Sequence, residues 1–129
     1  MVENVSDPAS RRRFAWPEQS LGALDATACG ALVAAAADVA LVLDSTGLVL
    51  DVAFSDPALS KTAYRDWVGQ RWSDIVTPES RPKIEDLLRE ASPAQATRWR
   101  QVNHPVEHGA DVPVRYSAMR FGPERRVLA

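Results

Sequence analysis

Large apolar residues crowd most densely into residues 38–54, DVALVLDSTGLVLDVAF, where two runs of Val and Leu flank the quartet Asp44-Ser45-Thr46-Gly47. Asp at the first position and Gly at the last favour a type I turn, because the glycine accepts a positive φ without a Cβ clash. The pattern therefore predicts a β-hairpin. On its first run Val39, Leu41 and Leu43 share a face with Ala40 and Val42 behind; on its second, Leu48, Leu50, Val52 and Phe54 share a face with Val49, Asp51 and Ala53 behind. Both faces are largely apolar, whereas a half-exposed hairpin alternates apolar with polar. The hairpin is expected in the middle of a sheet covered on both sides.

Upstream, Asp25 suits an N-cap, and Ala26 to Ala37 is alanine-dense enough for a helix despite Gly30. Apart from the Thr27 hydroxyl this helix has almost no polar face, so cover on more than one side is expected. Cys29 lies within it, with no Lys, Arg or His nearby in sequence, and reads as a small buried hydrophobe. Downstream, Pro57 and Gly69 break residues 55–72 into short helical turns anchored by Trp67, Val68 and Trp72. Thr77 and Pro78 open a helix over residues 78–91, with Ile84, Leu87, Leu88 and Ala91 on one side. Lys83, Glu85, Asp86, Arg89 and Glu90 point away from it, toward solvent.

Residues 96–104 and 112–121 read as strands, and residues 122–125 turn the chain into a further apolar run at 126–129. Residues 1–22, with two prolines, Arg11-Arg12-Arg13 and no sustained period, read as a flexible, solvated arm, with the folded domain over 23–129. The expected class is α+β: a five-stranded antiparallel sheet with short helices on one face and an amino-terminal flanking helix. The last strand is expected to be cut short, the natural protein continuing beyond it.

Composition narrows function by exclusion. At 129 residues, 46% hydrophobic and 25% charged, one soluble domain with a real core is the natural count. A formal charge of −2 offers no long-range attraction to nucleic acid or an acidic membrane. No signal-peptide pattern or long apolar run stands out, so a cytoplasmic location is expected. No enzyme inventory is present: the sequence has no glycine-rich phosphate loop, no H-E-x-x-H and no cysteine pair.

The order of elements, with Gly69-x-x-Trp72-x-x-Ile75-Val76-Thr77-Pro78-Glu79-Ser80-Arg81, resembles a PAS domain. Residues 35–49, 67–80, 101–105 and 113–129 are similar to phrases of the amino-terminal PAS domain of the PpsR/CrtJ family, regulators of photosynthesis genes in purple bacteria. That resemblance covers residues 23–129. It implies a sensing and oligomerisation module of a repressor, an antirepressor protein among its partners, and DNA binding only through a carboxy-terminal helix-turn-helix absent from this chain. The family's redox-linked cysteines lie outside the matching region, and Cys29 does not correspond to them.

A PAS sheet can enclose haem or flavin, and His104 and His108 are the only nitrogen ligands for an axial bond. Both fall near a loop and read as surface or turn histidines, so no cofactor is expected. A flavin-thiol adduct is ruled out because no cysteine follows residue 29. The alternative is a small-molecule or haem-binding PAS sensor domain of another signalling protein such as a histidine kinase. Leu24, Ala28, Leu32 and Ala35 form a helical stripe that nothing else in the sequence obviously covers, and a homodimer or higher oligomer through it is expected.

Overall fold

The computed structural model describes residues 13–55, 67–106 and 109–129. They fall into two units, one ending at Leu32 and one running from Val33 to Ala129. Among its described residues the first holds a single helical turn, α1 (Pro17–Ser20), whose last side chain donates from Ser20 Oγ to the Trp16 carbonyl at 2.9 Å. Trp16 itself stands 70% exposed. The second helix, α2 (Ala26–Ala36), starts at the predicted cap, with Asp25 Oδ1 accepting the Ala28 N–H at 2.8 Å.

No residue of α2 is buried, and Cys29 is exposed. Both findings overturn the sequence reading of a covered helix with a buried thiol. Alanine has the highest helix propensity but little apolar area, so cap and propensity sustain the helix without a buried face.

In the second unit, β1 (Val39–Leu43) lies between β2 (Val49–Phe54) and β6 (Arg126–Leu128), and β5 (Met119–Phe121) borders β6. All these neighbours are antiparallel. The predicted hairpin turn is present. Asp44 Oδ1 accepts the N–H groups of Thr46 and Leu48 at 2.8 and 3.0 Å and the Thr46 hydroxyl at 2.7 Å. The Leu48 N–H, then the Thr46 hydroxyl, hold this carboxyl below its ordinary value.

The predicted alternation along β2 fails. Register shifts between Val42 and Leu43, which pair with Asp51 and Val49, so Leu50 has no partner on β1. This bulge leaves Leu50 and Asp51 both exposed and buries Val49 and Val52. The linker explains it: Val49 donates to the Gln70 carbonyl at 2.8 Å and accepts from the Gly69 N–H at 2.9 Å, which pins the start of β2 from outside the hairpin.

Gly47 is where turn and core meet. Its φ is +100°, its carbonyl accepts the Trp72 N–H at 2.9 Å, and a Cβ there would stand 2.8 Å from Leu88 Cδ1. Gly47→Ala is expected to cost about 1–3 kcal/mol, from left-handed backbone strain and overpacking together. Urea unfolding checks it; a midpoint equal to wild type would show that Leu88 yields freely.

The α3 helix (Arg81–Glu90) follows a 3-10 turn at Pro78–Ser80 and buries Ile84 and Leu87, as its apolar spacing predicts. Thr77 caps differently from expectation: its hydroxyl meets Ser80 Oγ at 3.0 Å, and Ser80 Oγ accepts the Asn103 N–H at 2.9 Å. Asp86 does not simply face solvent. It accepts from Arg89 at 2.6 Å and Arg100 at 2.9 Å, tying α3 to the next strand.

That strand, β3 (Arg100–His104), pairs with β4 (Val112–Tyr116), starting later than the predicted residue 96. The predicted run 112–121 divides into β4 and β5 because Thr97 intervenes. Thr97 donates its N–H to the Ala118 carbonyl and accepts the Ala118 N–H on Oγ1, both at 2.9 Å. The described strands number six rather than the predicted five, and they form a four-stranded sheet, with β2 at an edge, and a separate β3–β4 pair instead of one continuous sheet. Leu41, Leu43, Trp72, Ile84, Leu87, Val102 and Val127 are fully buried at the centre. Val68, a predicted anchor, is instead 38% exposed.

Candidate functional site

Two features stand out: a buried histidine within the core and an apolar groove on the sheet. Along β3 the inward positions are Val102 and His104, and His104 is only 2% exposed. The expectation of a surface or turn histidine is therefore wrong for His104. His108 lies outside the described residues.

His104 Nδ1 lies 2.7 Å from the Ile75 carbonyl and Nε2 lies 2.8 Å from the Tyr116 hydroxyl. A carbonyl only accepts, so Nδ1 carries the proton; Nε2 of the neutral ring then accepts from Tyr116 O–H. Burial favours that neutral form and pushes the His104 pKa down to about 4, against a smaller opposing effect of the Ile75 carbonyl. Burial likewise pushes the Tyr116 hydroxyl up, away from ionisation. Both ring nitrogens are thus engaged within the protein.

Aromatic rings surround this pair. Trp67 stacks on His104 with centroids 4.3 Å apart and planes inclined by 25°, and Phe54 meets Trp67 at 5.4 Å. Trp72 approaches Tyr116 edge-on at 5.2 Å, and its buried Nε1–H has no acceptor among the described residues. The cluster joins β3 and β4 to the linker carrying Trp67, Trp72 and Ile75. Asn103 reinforces that joint, its carbonyl accepting the Thr77 N–H at 2.8 Å. The Ile75–His104–Tyr116 chain is itself satisfied and neutral, with both ring nitrogens of His104 committed, while Trp72 Nε1–H is left without an acceptor among the described residues. Among the described residues no group of three or more His, Cys, Asp or Glu is placed to hold a metal.

The groove, about 1050 Å³, is lined by the end of α2 at Val33 and Ala36, by Val112 and Val114 of β4, by Leu128 and by Trp99. Sequence reasoning assigned no face to Trp99; the structure leaves it 55% exposed. A smaller cleft of about 300 Å³ continues from Trp99 to Lys83, Arg98, Arg100 and Gln101. The sequence offered one signal for it, the interleaved Arg98-Trp99-Arg100, without the fold that sets Lys83 beside them.

Of the predicted interface stripe, Leu24 is 39% and Leu32 52% exposed within the single chain, Ala28 is half-buried and Ala35 is exposed. No helix among the described residues is long and apolar enough to cross a membrane.

No family model matches the chain. Over 101 residues it is 32% identical to Protein CrtJ of Rhodobacter capsulatus, a match that takes in 75% of this chain and 20% of that protein. The chain thus spans a small part of that relative's length. Its fold is similar to the crystal structure of the PAS domain of an HTR-like protein from Haloarcula marismortui. That match has a TM-score of 0.58 at 18% identity and covers 78% of this chain and 87% of the other.

Proposed function

We propose that this chain, a CrtJ-like PAS domain, serves as a non-catalytic sensing and self-association module of a transcriptional regulator of photosynthesis genes. In this reading the module begins at residue 23, works in the cytoplasm and contacts regulatory proteins such as an antirepressor. DNA is bound by a helix-turn-helix outside these residues. The observation that carries the reading is α2, which is apolar along its length and has no buried residue. Contiguous apolar surface on a soluble protein marks an interaction site. The small side chains of Ala28 and Ala35 let a second helix approach closely between Leu24 and Leu32.

Light scattering tests it. The wild type is expected to be a dimer at micromolar concentration, which needs roughly 8 kcal/mol of association energy. Leu32→Glu sets a carboxylate in that contact, costing several kcal/mol if it stays charged, and is expected to give monomers. Leu32 is 52% exposed in the single chain, so the substitution leaves the fold intact. A monomeric wild type, or a Leu32→Glu variant that stays dimeric while folded, removes α2 from the interface.

A further inference from the structure

Trp99 lines both the apolar groove and the cleft of the second unit, so the two adjoin at this side chain. The two halves differ in chemistry. Aliphatic side chains dominate the groove, whose charged side chains among the described residues are Asp38 and Arg115. Among the described residues the cleft is lined by Lys83, Arg98 and Arg100 and by no carboxylate. These cations stand out on a chain whose formal charge is −2.

The cations are not equally committed. Arg100 is paired with Asp86 at 2.9 Å, and Lys83 Nζ donates to the Gln101 carbonyl at 2.9 Å. The guanidinium groups of Arg98 and Arg115 have no hydrogen bond or ion pair among the described residues. Arg115 sits opposite Gln101 in the β3–β4 register, beside the cleft.

We infer that this face binds an acidic amphipathic segment of a partner protein, its apolar side chains in the groove and its carboxylates over Arg98, Arg115 and Lys83. Charge complementarity selects the occupant. A nucleic acid satisfies the cations but brings no aliphatic side chains for Val33, Val112, Val114 and Leu128. A purely apolar partner leaves the cations without a counterpart. Trp99, exposed between the halves, has the size and amphipathic character of an interface anchor. The inference rests on the regulatory-module reading only in taking the occupant to be a protein. On α2 it draws on Val33, away from the self-association stripe of Leu24, Ala28, Leu32 and Ala35, and on Ala36, one turn beyond Leu32, where the two surfaces adjoin.

Fluorescence anisotropy on the whole chain tests it with a labelled helical peptide of about four turns, Leu on one face and Glu on the other. The control peptide has Lys in place of every Glu. Saturable binding of the Glu peptide is expected, with the Lys peptide at least about tenfold weaker and affinity falling as salt rises. Trp99→Ala and the double variant Arg98→Glu/Arg115→Glu are each expected to weaken binding by about tenfold or more. All three positions are exposed, so circular dichroism should show these variants folded.

Equal binding of both peptides, binding indifferent to these variants, or no binding overturns the inference. So does displacement of the peptide by duplex DNA that itself binds more tightly. A dimer that Trp99→Ala dissociates, with no peptide bound, makes a second copy the occupant and also overturns it. A chain that is monomeric in light scattering yet binds the Glu peptide through Trp99 refutes self-association and leaves this inference standing. A Leu32-dependent dimer that ignores the peptide does the reverse.

Discussion

His104→Ala is expected to cost the domain about 4 kcal/mol, the scale of a large-to-small core substitution with two polar groups newly left unpaired. It removes the ring stacked on Trp67 and strips the Ile75 carbonyl and the Tyr116 hydroxyl of their shared partner. Tyr116→Phe leaves the ring in place and orphans only Nε2, so about 1–2 kcal/mol is expected. If the chain acts as one unit, the double variant costs less than the two single losses added. Urea denaturation of the four proteins gives the cycle. A His104→Ala loss below about 1 kcal/mol would mean that the site refills without the ring.

The same histidine sets a pH dependence. Its folded pKa, pushed down to about 4 by burial, lies below the ordinary value of 6.5. Above 6.5 neither folded nor unfolded chain holds the proton, and the full stability is present. As pH falls through 6.5 the unfolded chain takes up a proton that the folded chain refuses, so stability drains away until about pH 4, where both are protonated. The loss approaches about 3 kcal/mol across that window. Among the described residues Tyr116 is the only other titratable side chain bonded to the ring, and it stays neutral throughout. Asp44 and Asp86, held below the ordinary carboxylate value of 3.8, add their losses at lower pH. His104→Phe, lacking the titrating ring, is expected to show a stability curve flatter than wild type between pH 6.5 and 4. Parallel curves would assign the acid sensitivity elsewhere.

The sequence showed most where structure is local. Asp44 and Gly47 specify their turn through contacts within five residues, and Ile84 and Leu87 specify α3 by spacing alone. The bulge at Leu50 was hidden because the linker at Gly69 and Gln70 imposes it, and no pattern inside the hairpin reports that pairing. His104 was misread because Asn103 and Pro105 flank it with loop-like residues. Its alternation with Val102 was the available signal, but both hydrogen-bond partners lie far off in sequence, at Ile75 and Tyr116. Cys29 was misplaced for the opposite reason. Apolar composition implied burial, whereas an alanine-rich helix with a good cap forms without it.

Arg120 had no role in the sequence reading, yet its substitution carries the second large expected effect. Its guanidinium donates to four backbone carbonyls: Leu88 at 3.0 Å, Ala91 at 3.3 Å, Ser45 at 3.3 Å and Arg125 at 3.1 Å. Leu88 and Ala91 lie at the carboxy-terminal end of α3, where carbonyls lack helical partners and a cation opposes the negative end of the helix dipole. Ser45 belongs to the β1–β2 turn and Arg125 to the β5–β6 turn, the latter held at φ +54°. One side chain therefore ties a helix end to two hairpin turns. The bonds to Ser45 and Arg125 are exposed and contribute little, so the two part-buried bonds set the scale. Arg120→Ala is expected to cost about 2–3 kcal/mol. Lysine keeps the charge at the helix end but cannot reach the separated carbonyls with a planar fork, so Arg120→Lys should recover less than half of that. The acceptors are neutral carbonyls rather than carboxylates, so the difference between wild type and Arg120→Ala should persist in 1 M salt, where the Debye length is about 3 Å. Urea unfolding at low and high salt decides the matter. A loss within about 0.5 kcal/mol, the range of ordinary surface substitutions, would show that water replaces the guanidinium at these carbonyls.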